Sequence, residues 1–372
     1  MKIDYSSNRR VFIQKMGKVA GAAALISPFS IISSNSCASP TQNKLGVALV
    51  GLGNYSRSML GPALKETSNC YLSAIVTGTP SKADSWSKEY GIKESNIYDY
   101  ESFDNIANND DIDIVYVVLP NNMHAEYTMR ALEAGKHVIC EKPFSLVAEE
   151  SRQMIATAKK VGKKLAVGYR MHYDPYFIDV KRIGQNEEFG PVNYLEGSLG
   201  YSYTPREGSW KLKKSMGGGS LYNLGVYPIQ GVRHAKGGNE PLYVSAQAKT
   251  KRKEIFKEIH EMFTWQLEWA DGTLASCYTG PNARLDRLYV GCDNGWINNE
   301  PAYNYSGQAV DTSDGPLDYP QVFQQKLQIE DFAKCVLEDK ESIVSGEEGL
   351  KDALIIDAIH RSIKSGQREK IG

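Results

Sequence analysis

The stretch Val47-Ala48-Leu49-Val50-Gly51-Leu52-Gly53-Asn54-Tyr55-Ser56 joins a short apolar run to a glycine turn. The run has the composition of a buried strand, and serine stands at position 56 where a third glycine is usual in a G-x-G-x-x-G turn. The first glycine permits the tight turn, and the second lets a pyrophosphate approach the backbone at the start of the following helix. The stretch therefore predicts a dinucleotide-binding strand–turn–helix unit.

Outward from this turn, short apolar runs alternate with helical patterns as far as residue 168. Strands separated by helices imply parallel βαβ units, so we expect a doubly wound Rossmann domain over residues 41–168. The apolar runs are Leu45–Val50, 71–76, 112–119, His137–Cys140 and 164–168, and the helical patterns cover 81–90, 124–134 and Ala148–Val161.

Residues 169–372 have longer runs in which apolar and polar residues alternate. The clearest run is 261–269, and Asp271-Gly272 follows it as a hairpin turn. This pattern predicts an α/β domain built on a large open antiparallel sheet, with helices at Gln324–Leu337 and 347–365. An open face of that size favours a homo-oligomer, dimer or tetramer, so we assign this domain to substrate binding and oligomerisation.

The first 40 residues have the pattern of a processing segment. Arg9-Arg10 precedes a modest apolar stretch at 19–32, which is too short and too polar for a stable membrane span. The pattern resembles a twin-arginine export signal and predicts a periplasmic protein. Lipid attachment at Cys37 ranks second, and a disordered basic tail is the remaining alternative.

The charge balance excludes partners that are recognised by net charge. Lys and Arg number 43 and Asp and Glu number 44, a formal charge of -1, so nothing attracts the chain to nucleic acid. After Cys37, cysteines occur at 70, 140, 277, 292 and 335, without metal-ligand or disulfide spacing. We expect no metal site and a small neutral molecule as the substrate.

The end of the second strand selects between nicotinamide cofactors. An NAD site usually has Asp or Glu there, about 20 residues after the glycines, to bind the ribose 2′-hydroxyl. This chain instead has Thr77 and Lys82, which can hold a 2′-phosphate. These residues predict NADP, with NAD as the alternative cofactor.

Three further segments place reactive side chains at this edge of the sheet. Leu119, Asn121 and His124 follow one strand, although His124 is equally consistent with a helix cap. Cys140-Glu141-Lys142-Pro143 ends the next strand, and Asn223 and Tyr227 share a helix face after Gly217-Gly218-Gly219. A nearby ammonium favours a phenolate, so a lysine beside Tyr227 would make it a general acid/base.

Together these motifs resemble the Gfo/Idh/MocA oxidoreductases, and within them the periplasmic glucose-fructose oxidoreductase branch. The motifs are Gly-Leu-Gly, Leu-Pro-Asn with a following His, Glu-Lys-Pro, Gly168-Tyr169-Arg170-Met171-His172-Tyr173-Asp174-Pro175 and the Gly-Gly-Gly-Ser segment up to Tyr227. The likeness runs from about residue 45 to the C-terminus. It implies a tightly held NADP that carries hydride between a sugar and a second sugar or carbonyl compound.

The resemblance also implies roles for individual residues. Lys142 would orient the substrate and tune Tyr227, which would take and return the hydroxyl proton, with Asn223 beside it. His172 and Tyr173 would contact substrate together with Tyr227. The implied cofactor-binding residues are Gly51, Gly53, Asn54, Tyr55, Ser56, Thr77, Lys82, Leu119, Asn121, His124, Glu141, Lys142, Arg170, Trp210 and Lys211.

Two departures from the family pattern bear on the substrate. Asn223 stands where the family usually has Asp, and Asn54 stands where glucose-fructose oxidoreductase has Lys. An amide orients a hydroxyl group but cannot accept a proton as a carboxylate does. Two other functions stay open: a glycoside hydrolase that oxidises its sugar transiently with a bound nicotinamide, and a sugar-binding protein that keeps the nucleotide without turnover.

Overall fold

A computed structural model of the chain describes residues 44–372. The predicted export segment, Arg9-Arg10 and Cys37 lie outside the described residues. Within residues 44–372, no helix has both the length and the apolar character needed to cross a bilayer.

The N-terminal domain is a six-stranded parallel sheet in the order β3-β2-β1-β4-β5-β6. All six residues of β1 are buried, as expected for a central strand that is covered on both faces. The predicted Rossmann fold is confirmed. The strands are β1 Leu45–Val50, β2 Cys70–Val76, β3 Ile97–Tyr98, β4 Ile114–Val117, β5 His137–Cys140 and β6 Leu165–Val167. The helices are α1 Gly61–Glu66, which continues a π-helical turn Ser56–Leu60, α2 Pro80–Tyr90, α3 His124–Glu133 and α4 Ala148–Val161.

The C-terminal domain is built on a nine-stranded sheet in the order β14-β13-β12-β11-β7-β10-β9-β8-β15. Only the pair β7 and β10 is parallel, so the prediction of a largely antiparallel sheet is confirmed. Its strands are β7 Val192–Gly200, β8 Tyr243–Lys249, β9 Met262–Glu268, β10 Leu274–Gly280, β11 Leu285–Cys292, β12 Trp296–Asn299, β13 Val310–Thr312, β14 Gly315–Leu317 and β15 Glu369–Lys370. Its helices are α5 Pro175–Gln185, α6 Val226–Lys236 and α8 Gly346–Ser365.

One element departs from the predicted boundary at residue 169. Helix α7, Gln324–Leu337, packs against the N-terminal core through Ile329, Phe332 and Ala333. These residues come late in the chain but belong to the first hydrophobic core. The division at residue 169 stays a prediction, and the structure adds that the chain returns to the core of the Rossmann domain through α7 before it ends.

Candidate active site

A cleft of about 680 Å³ runs along the carboxyl ends of β1, β2, β4 and β5. This is the edge at which open parallel sheets bind their ligands. The cleft brings together thirteen of the residues predicted to hold the cofactor: Gly51, Gly53, Asn54, Tyr55, Thr77, Lys82, Leu119, Asn121, His124, Glu141, Lys142, Trp210 and Lys211.

The glycine turn after β1 leaves room for a ligand. Gly51 has φ +98°, and a Cβ there would lie 2.4 Å from the Val118 carbonyl oxygen, so only glycine fits. A Cβ at Gly53 would meet no atom within 4 Å, which shows that the second glycine borders open space. These are the features that the approach of a pyrophosphate requires, so the turn fits a bound dinucleotide.

Ser56 does not line the cleft, contrary to its predicted contact with the cofactor. Its side chain is buried, and the hydroxyl donates to the Gly51 carbonyl oxygen at 2.6 Å. The serine therefore stabilises the glycine turn from below, at the position where a third glycine is usual.

The side of the cleft beyond β2 contains hydroxyl groups and a cation. Thr77, Thr79 and Lys82 line it, and the Thr77 hydroxyl accepts from the Thr79 amide at 3.2 Å. Among the described residues that line the cleft, Glu141 is the only carboxylate, and it follows β5 rather than β2. The part of the cleft after β2 is therefore lined by hydroxyl groups and an ammonium group, and not by a carboxylate that could bind a ribose hydroxyl.

His124 connects two of the loops that form the cleft. Its Nδ1 lies 2.7 Å from the Pro143 carbonyl oxygen, and its Nε2 lies 2.9 Å from the Leu119 carbonyl oxygen. Burial lowers the pKa of the imidazole despite these two carbonyl contacts. The ring therefore fixes the loop after β4 against the loop that follows Lys142, which is a larger role than capping α3.

Glu141 is buried beneath the cleft. Tyr116 donates to its Oε1 at 2.8 Å, and the Lys142 amide donates to its Oε2 at 3.2 Å. Burial raises the pKa of this carboxyl group, and the Lys142 ammonium partly opposes that rise. Glu141 thus places a carboxyl group against the backbone of Lys142.

A second space, a chamber of about 370 Å³, adjoins the cleft. Lys142, Lys211, Asn223, Tyr227 and Tyr305 line both spaces, so they mark the junction of cleft and chamber. Four further lining residues are aromatic or cationic: Arg170, Tyr201, Tyr203 and Tyr303.

Lys142 and Tyr227 meet at this junction. The Lys142 ammonium lies 4.7 Å from the centre of the Tyr227 ring and donates to the Asn223 carbonyl oxygen at 3.0 Å. Burial alone would raise the pKa of Tyr227, but the charges of Arg170 and Lys142 outweigh it, and the pKa lies below its usual value. A phenol with these neighbours is suited to proton transfer.

Asn223 lies on the π-helical turn Leu221–Gly225, which leads into α6. Its side-chain amide donates to the Gly219 carbonyl oxygen at 2.8 Å, which ties the turn to the glycine segment before it. Asn121 reaches the same segment from the N-terminal domain and donates to the Gly217 carbonyl oxygen at 2.8 Å. The two amides therefore hold the glycine segment at the junction.

The structure places Arg170 in the chamber and not among the residues that line the cofactor cleft. Its Nε donates to the Tyr227 hydroxyl oxygen at 3.2 Å, and its guanidinium lies 4.3 Å from the centre of the Tyr305 ring. The structure thus shows a contact of Arg170 with the tyrosine, and its contact with the cofactor stays a prediction.

His172 and Tyr173 line neither the cleft nor the chamber. His172 is buried against Phe177 and His234, and burial lowers the pKa of His172 to about 3. The Tyr173 hydroxyl donates to Asp331 Oδ2 at 2.9 Å, and its ring packs in the N-terminal core. Both side chains point into the interior, so the structure does not bring them together with Tyr227, and their contact with substrate stays a prediction.

The sequence did not reveal the aromatic residues of the chamber. Tyr305 stacks on Tyr55 with ring centres 6.4 Å apart and lies in an irregular segment between β12 and β13. Tyr201 and Tyr203 follow the last residue of β7, and Tyr100 lines the cleft beside Gly78. The one signal in the sequence is that Tyr201 and Tyr203 are two residues apart just after β7, a spacing that places side chains on the same face of an extended chain.

Cysteines and acidic clusters contribute nothing to the site. Within residues 44–372, Cys70, Cys140, Cys277, Cys292 and Cys335 are free thiols. The same part of the chain contains no group of three or more His, Cys, Asp or Glu side chains arranged to hold a metal ion.

Two sequence models of one family match this chain in succession. The model described as "Oxidoreductase family, NAD-binding Rossmann fold" covers residues 45–169, and the Gfo/Idh/MocA C-terminal domain covers residues 177–298. The chain belongs to the Gfo/Idh/MocA oxidoreductase family. The predicted family, oxidoreductase class and nicotinamide cofactor are thereby confirmed, and the enzyme is an NAD(P)-dependent oxidoreductase that acts on CH–OH groups.

Individual relatives match nearly the whole described part of the chain. The crystal structure of aldose-aldose oxidoreductase from Caulobacter crescentus, complexed with glycerol, is 36% identical with a TM-score of 0.85, covering 88% of this chain and 100% of that one. D-xylose 1-dehydrogenase [NADP(+)] from Haloarcula marismortui is 27% identical over 337 residues, which are 87% of this chain and 92% of the relative. A 3-ketoreductase from Actinomadura kijaniata, solved with NADP and TDP-benzene, shares the fold with a TM-score of 0.75 at 23% identity, covering 86% of this chain and 98% of that one.

Proposed function

We propose that this enzyme transfers hydride between an aldose and a second sugar or carbonyl compound through an NADP molecule that stays bound. The observation that carries the proposal is the position of Lys142 over Tyr227 at the junction of the cleft and the chamber. One space fits the dinucleotide, the other is free for a substrate, and the acid–base pair lies where the two meet.

The lining of the chamber supports a sugar as the substrate. Tyr201, Tyr203 and Tyr305 supply exposed aromatic surfaces with polar edges, and Asn223, Lys142 and Lys211 supply hydrogen-bonding groups. A pyranose has apolar C–H faces and a rim of hydroxyl groups, which such a lining complements. The names of the aldose-aldose oxidoreductase and the xylose dehydrogenase point to the same substrate class.

The residues at the junction have different roles in the oxidation of the alcohol. Tyr227 accepts the proton of the reacting hydroxyl group while Arg170 and Lys142 stabilise the phenolate. Lys142 and Asn223 also orient the substrate hydroxyl groups that face the junction. When bound, NADP supplies the nicotinamide that accepts the hydride and returns it to the second substrate.

The side of the cleft beyond β2 supports NADP as the cofactor. Thr77, Thr79 and Lys82 offer two hydroxyl groups and an ammonium for a 2′-phosphate, and no carboxylate lines this part of the cleft to bind a free 2′-hydroxyl.

A cofactor that remains bound also fits the proposed location in the periplasm. Twin-arginine export carries proteins that are already folded, so the enzyme would acquire NADP before export. Replacement of Arg9 and Arg10 by lysine should leave a folded, nucleotide-bearing precursor in the cytoplasm. Unchanged export of that variant, measured by fractionation, would exclude this route.

The proposed reaction is tested on the purified protein without added nucleotide. The absorbance band of reduced nicotinamide should appear when the correct aldose is added and disappear when a second carbonyl compound follows. A protein that carries no nucleotide, or that releases it at each turnover, would contradict retention of the cofactor. Cleavage of an aryl glycoside without net cofactor reduction would instead identify the glycoside hydrolase alternative, and the Tyr227→Phe variant is the control for bound but unreactive cofactor.

A further inference from the structure

Helix α7 presents three buried glutamines toward the site. Gln324, Gln325 and Gln328 are 2%, 2% and 1% exposed, although glutamine is usually a surface residue. Gln325 donates to the Tyr55 hydroxyl at 3.3 Å, and Gln328 donates to the Tyr116 hydroxyl at 3.1 Å. Gln324 contacts Arg170. Gln325 therefore supports a tyrosine of the cleft, Gln328 supports the tyrosine that donates to Glu141, and Gln324 supports an arginine of the chamber.

Gln324 is held so that only one orientation of its amide satisfies its neighbours. Its Oε1 accepts from Arg170 Nη1, and its Nε2 donates to Asp174 Oδ2 at 2.6 Å. A guanidinium can only donate and a carboxylate can only accept, so the amide cannot be reversed. Asp174 is fixed in turn because it caps α5 by accepting from the Tyr176 amide.

Arg170 is held on every nitrogen. Nη1 also donates to the Asn304 carbonyl oxygen at 3.2 Å, Nη2 donates to the Tyr303 carbonyl oxygen, and Nε donates to the Tyr227 hydroxyl oxygen at 3.2 Å. The rigid geometry of the guanidinium therefore transmits the position of Gln324 to the tyrosine oxygen. Because Tyr227 accepts from Nε, its own O–H remains able to point into the chamber.

We propose that Arg170 is a positioning residue for the Tyr227 hydroxyl and that Gln324, anchored by Asp174, holds Arg170 in place. This inference rests on the proposed role of Tyr227 in proton transfer. The residues that position the tyrosine would then include Gln324 in the first turn of α7, almost one hundred residues after the tyrosine in the sequence.

The charges around Tyr227 agree with this role. Burial has the largest influence on the pKa of Tyr227 and raises it, as Glu141 also does. The charges of Arg170 and Lys142 lower this pKa, and the effect of Arg170 is the larger of the two. The ionisable groups that face the tyrosine or influence its neighbours are Arg170, Lys142, Glu141, Lys211, Asp286, Tyr55, Tyr201, Tyr303 and Tyr305. Arg170 lowers the pKa of Tyr227 first through its charge and in addition through the hydrogen bond that it donates to the phenol oxygen.

The test measures the ionisation of Tyr227 itself. Ultraviolet difference titration of the full enzyme against Tyr227→Phe isolates the signal of this tyrosine. Gln324→Met is close in shape but removes both amide contacts, and Arg170→Met removes the donor and the charge. The ionisation should move to higher pH by roughly one unit or more in Arg170→Met, and in the same direction but less in Gln324→Met. The pH at which aldose oxidation reaches half its maximum should move with it, while NADP stays bound.

The matched control is Gln153→Met, the same substitution at an exposed position of α4. It should leave the titration and the pH profile of the parent unchanged. If both test variants fold, bind NADP and keep the parental ionisation, the proposal is overturned. If Arg170→Met does not fold, Gln324→Met decides, because an unshifted titration in that variant contradicts the proposed anchor. Because the titration does not depend on turnover, a shifted ionisation with an unchanged pH profile of aldose oxidation would contradict Tyr227 as the base and leave the contact with Arg170 intact.

Discussion

Tyr227 lies between two cations, and this arrangement decides the first prediction. If it accepts the substrate proton, Tyr227→Phe should slow hydride transfer by ~100-fold or more, the usual scale for a lost general base. NADP should stay bound because the Lys142 and cleft contacts remain. Single-turnover reduction of bound NADP by the best aldose is the measurement. A parental rate in the variant would exclude Tyr227, and since His172 is buried away from the chamber, His124 would be the histidine left to examine.

The pH dependence follows from the neighbours of the same tyrosine. Aldose oxidation needs the phenolate, so its rate should rise with pH through the pKa of Tyr227, which lies below the ordinary value of a phenol. Lys142→Ala removes one of the two cations, so the half-maximal pH should move upward and the plateau should fall. An unchanged half-maximal pH would show that Lys142 does not act on the phenolate.

Lys82 carries the prediction for cofactor choice. It lies in the first turn of α2 and lines the cleft together with Thr77 and Thr79. Lys82→Ala should weaken NADP binding by about tenfold, the scale of one charge-assisted contact, and should leave NAD nearly unchanged. Fluorescence titration of the nucleotide-free protein measures both affinities. Equal affinities for NADP and NAD in the parent protein would contradict the assignment.

At the scale of the elements, parallel strands made much of the site predictable. Since the carboxyl ends of β1, β2, β4 and β5 must meet at one edge, Gly51, Thr77, Leu119 and Glu141 could be placed together from their positions after apolar runs. Irregular segments have no such periodic pattern in the sequence, so their contacts with the site could not be predicted. Tyr305 lies in such a segment, and the amphipathic pattern of α7 indicated a helix but not that its glutamines are buried.

The sequence also did not determine the direction of a side chain in segments that are neither helix nor strand, because no regular periodicity applies there. His172 lies in the short 3₁₀ turn Arg170–Tyr173, in which Arg170 reaches the chamber while His172 and Tyr173 turn inward. Sequence proximity to Arg170 therefore suggested a shared site that the geometry of the turn does not provide.

The close contact between the ends of β5 and β6 gives a prediction about stability. A Cβ on Gly168 would lie 2.7 Å from Glu141 Oε1 and 3.1 Å from the Glu141 Cα atom. Gly168→Ala should lower the free energy of unfolding by about 1–3 kcal/mol because the backbone cannot yield as a flexible side chain could. It should also slow hydride transfer by displacing the residue before Lys142. Chemical denaturation measures the first effect, and parental stability would show that the two strands can separate at this point.

At the scale of the whole molecule, buried histidines should limit stability in acid. His172 and His234 lie with ring centres 4.2 Å apart, and burial lowers the pKa of His172 to about 3. In the unfolded chain this imidazole binds its proton near pH 6.5, so the folded state loses stability as pH falls from there toward 3, by at most about 1.4 kcal/mol per pH unit. His172→Phe keeps the aromatic packing and should make this decline shallower. Denaturation at pH 7 and pH 5 measures the difference, and an equal decline in parent and variant would contradict it.

The exposed face of the nine-stranded sheet bears on assembly. Trp296 pairs with Gly291, Gly291 with Tyr194, and Tyr194 with Leu274, so one row crosses β12, β11, β7 and β10. Trp296, Tyr194 and Leu274 are 39%, 40% and 44% exposed, an apolar row in an otherwise polar face that includes Gln266 and Ser245. Such a row is typical of a surface that another protein covers, and we propose that a second copy of this chain covers it.

A charge in the middle of that row should therefore dissociate the assembly. Leu274→Asp would bury an unpaired carboxylate against a partner, which is expensive, but would leave it in water in the separated subunit. We expect the parent to be an oligomer by light scattering and Leu274→Asp to have the mass of a single chain with the fold retained. Ile343→Asp is the matched control, because Ile343 is 56% exposed and lies outside the sheet. A monomeric parent would contradict the proposal, and so would a variant at Leu274 that assembles as the parent does, since the row then faces water in both states.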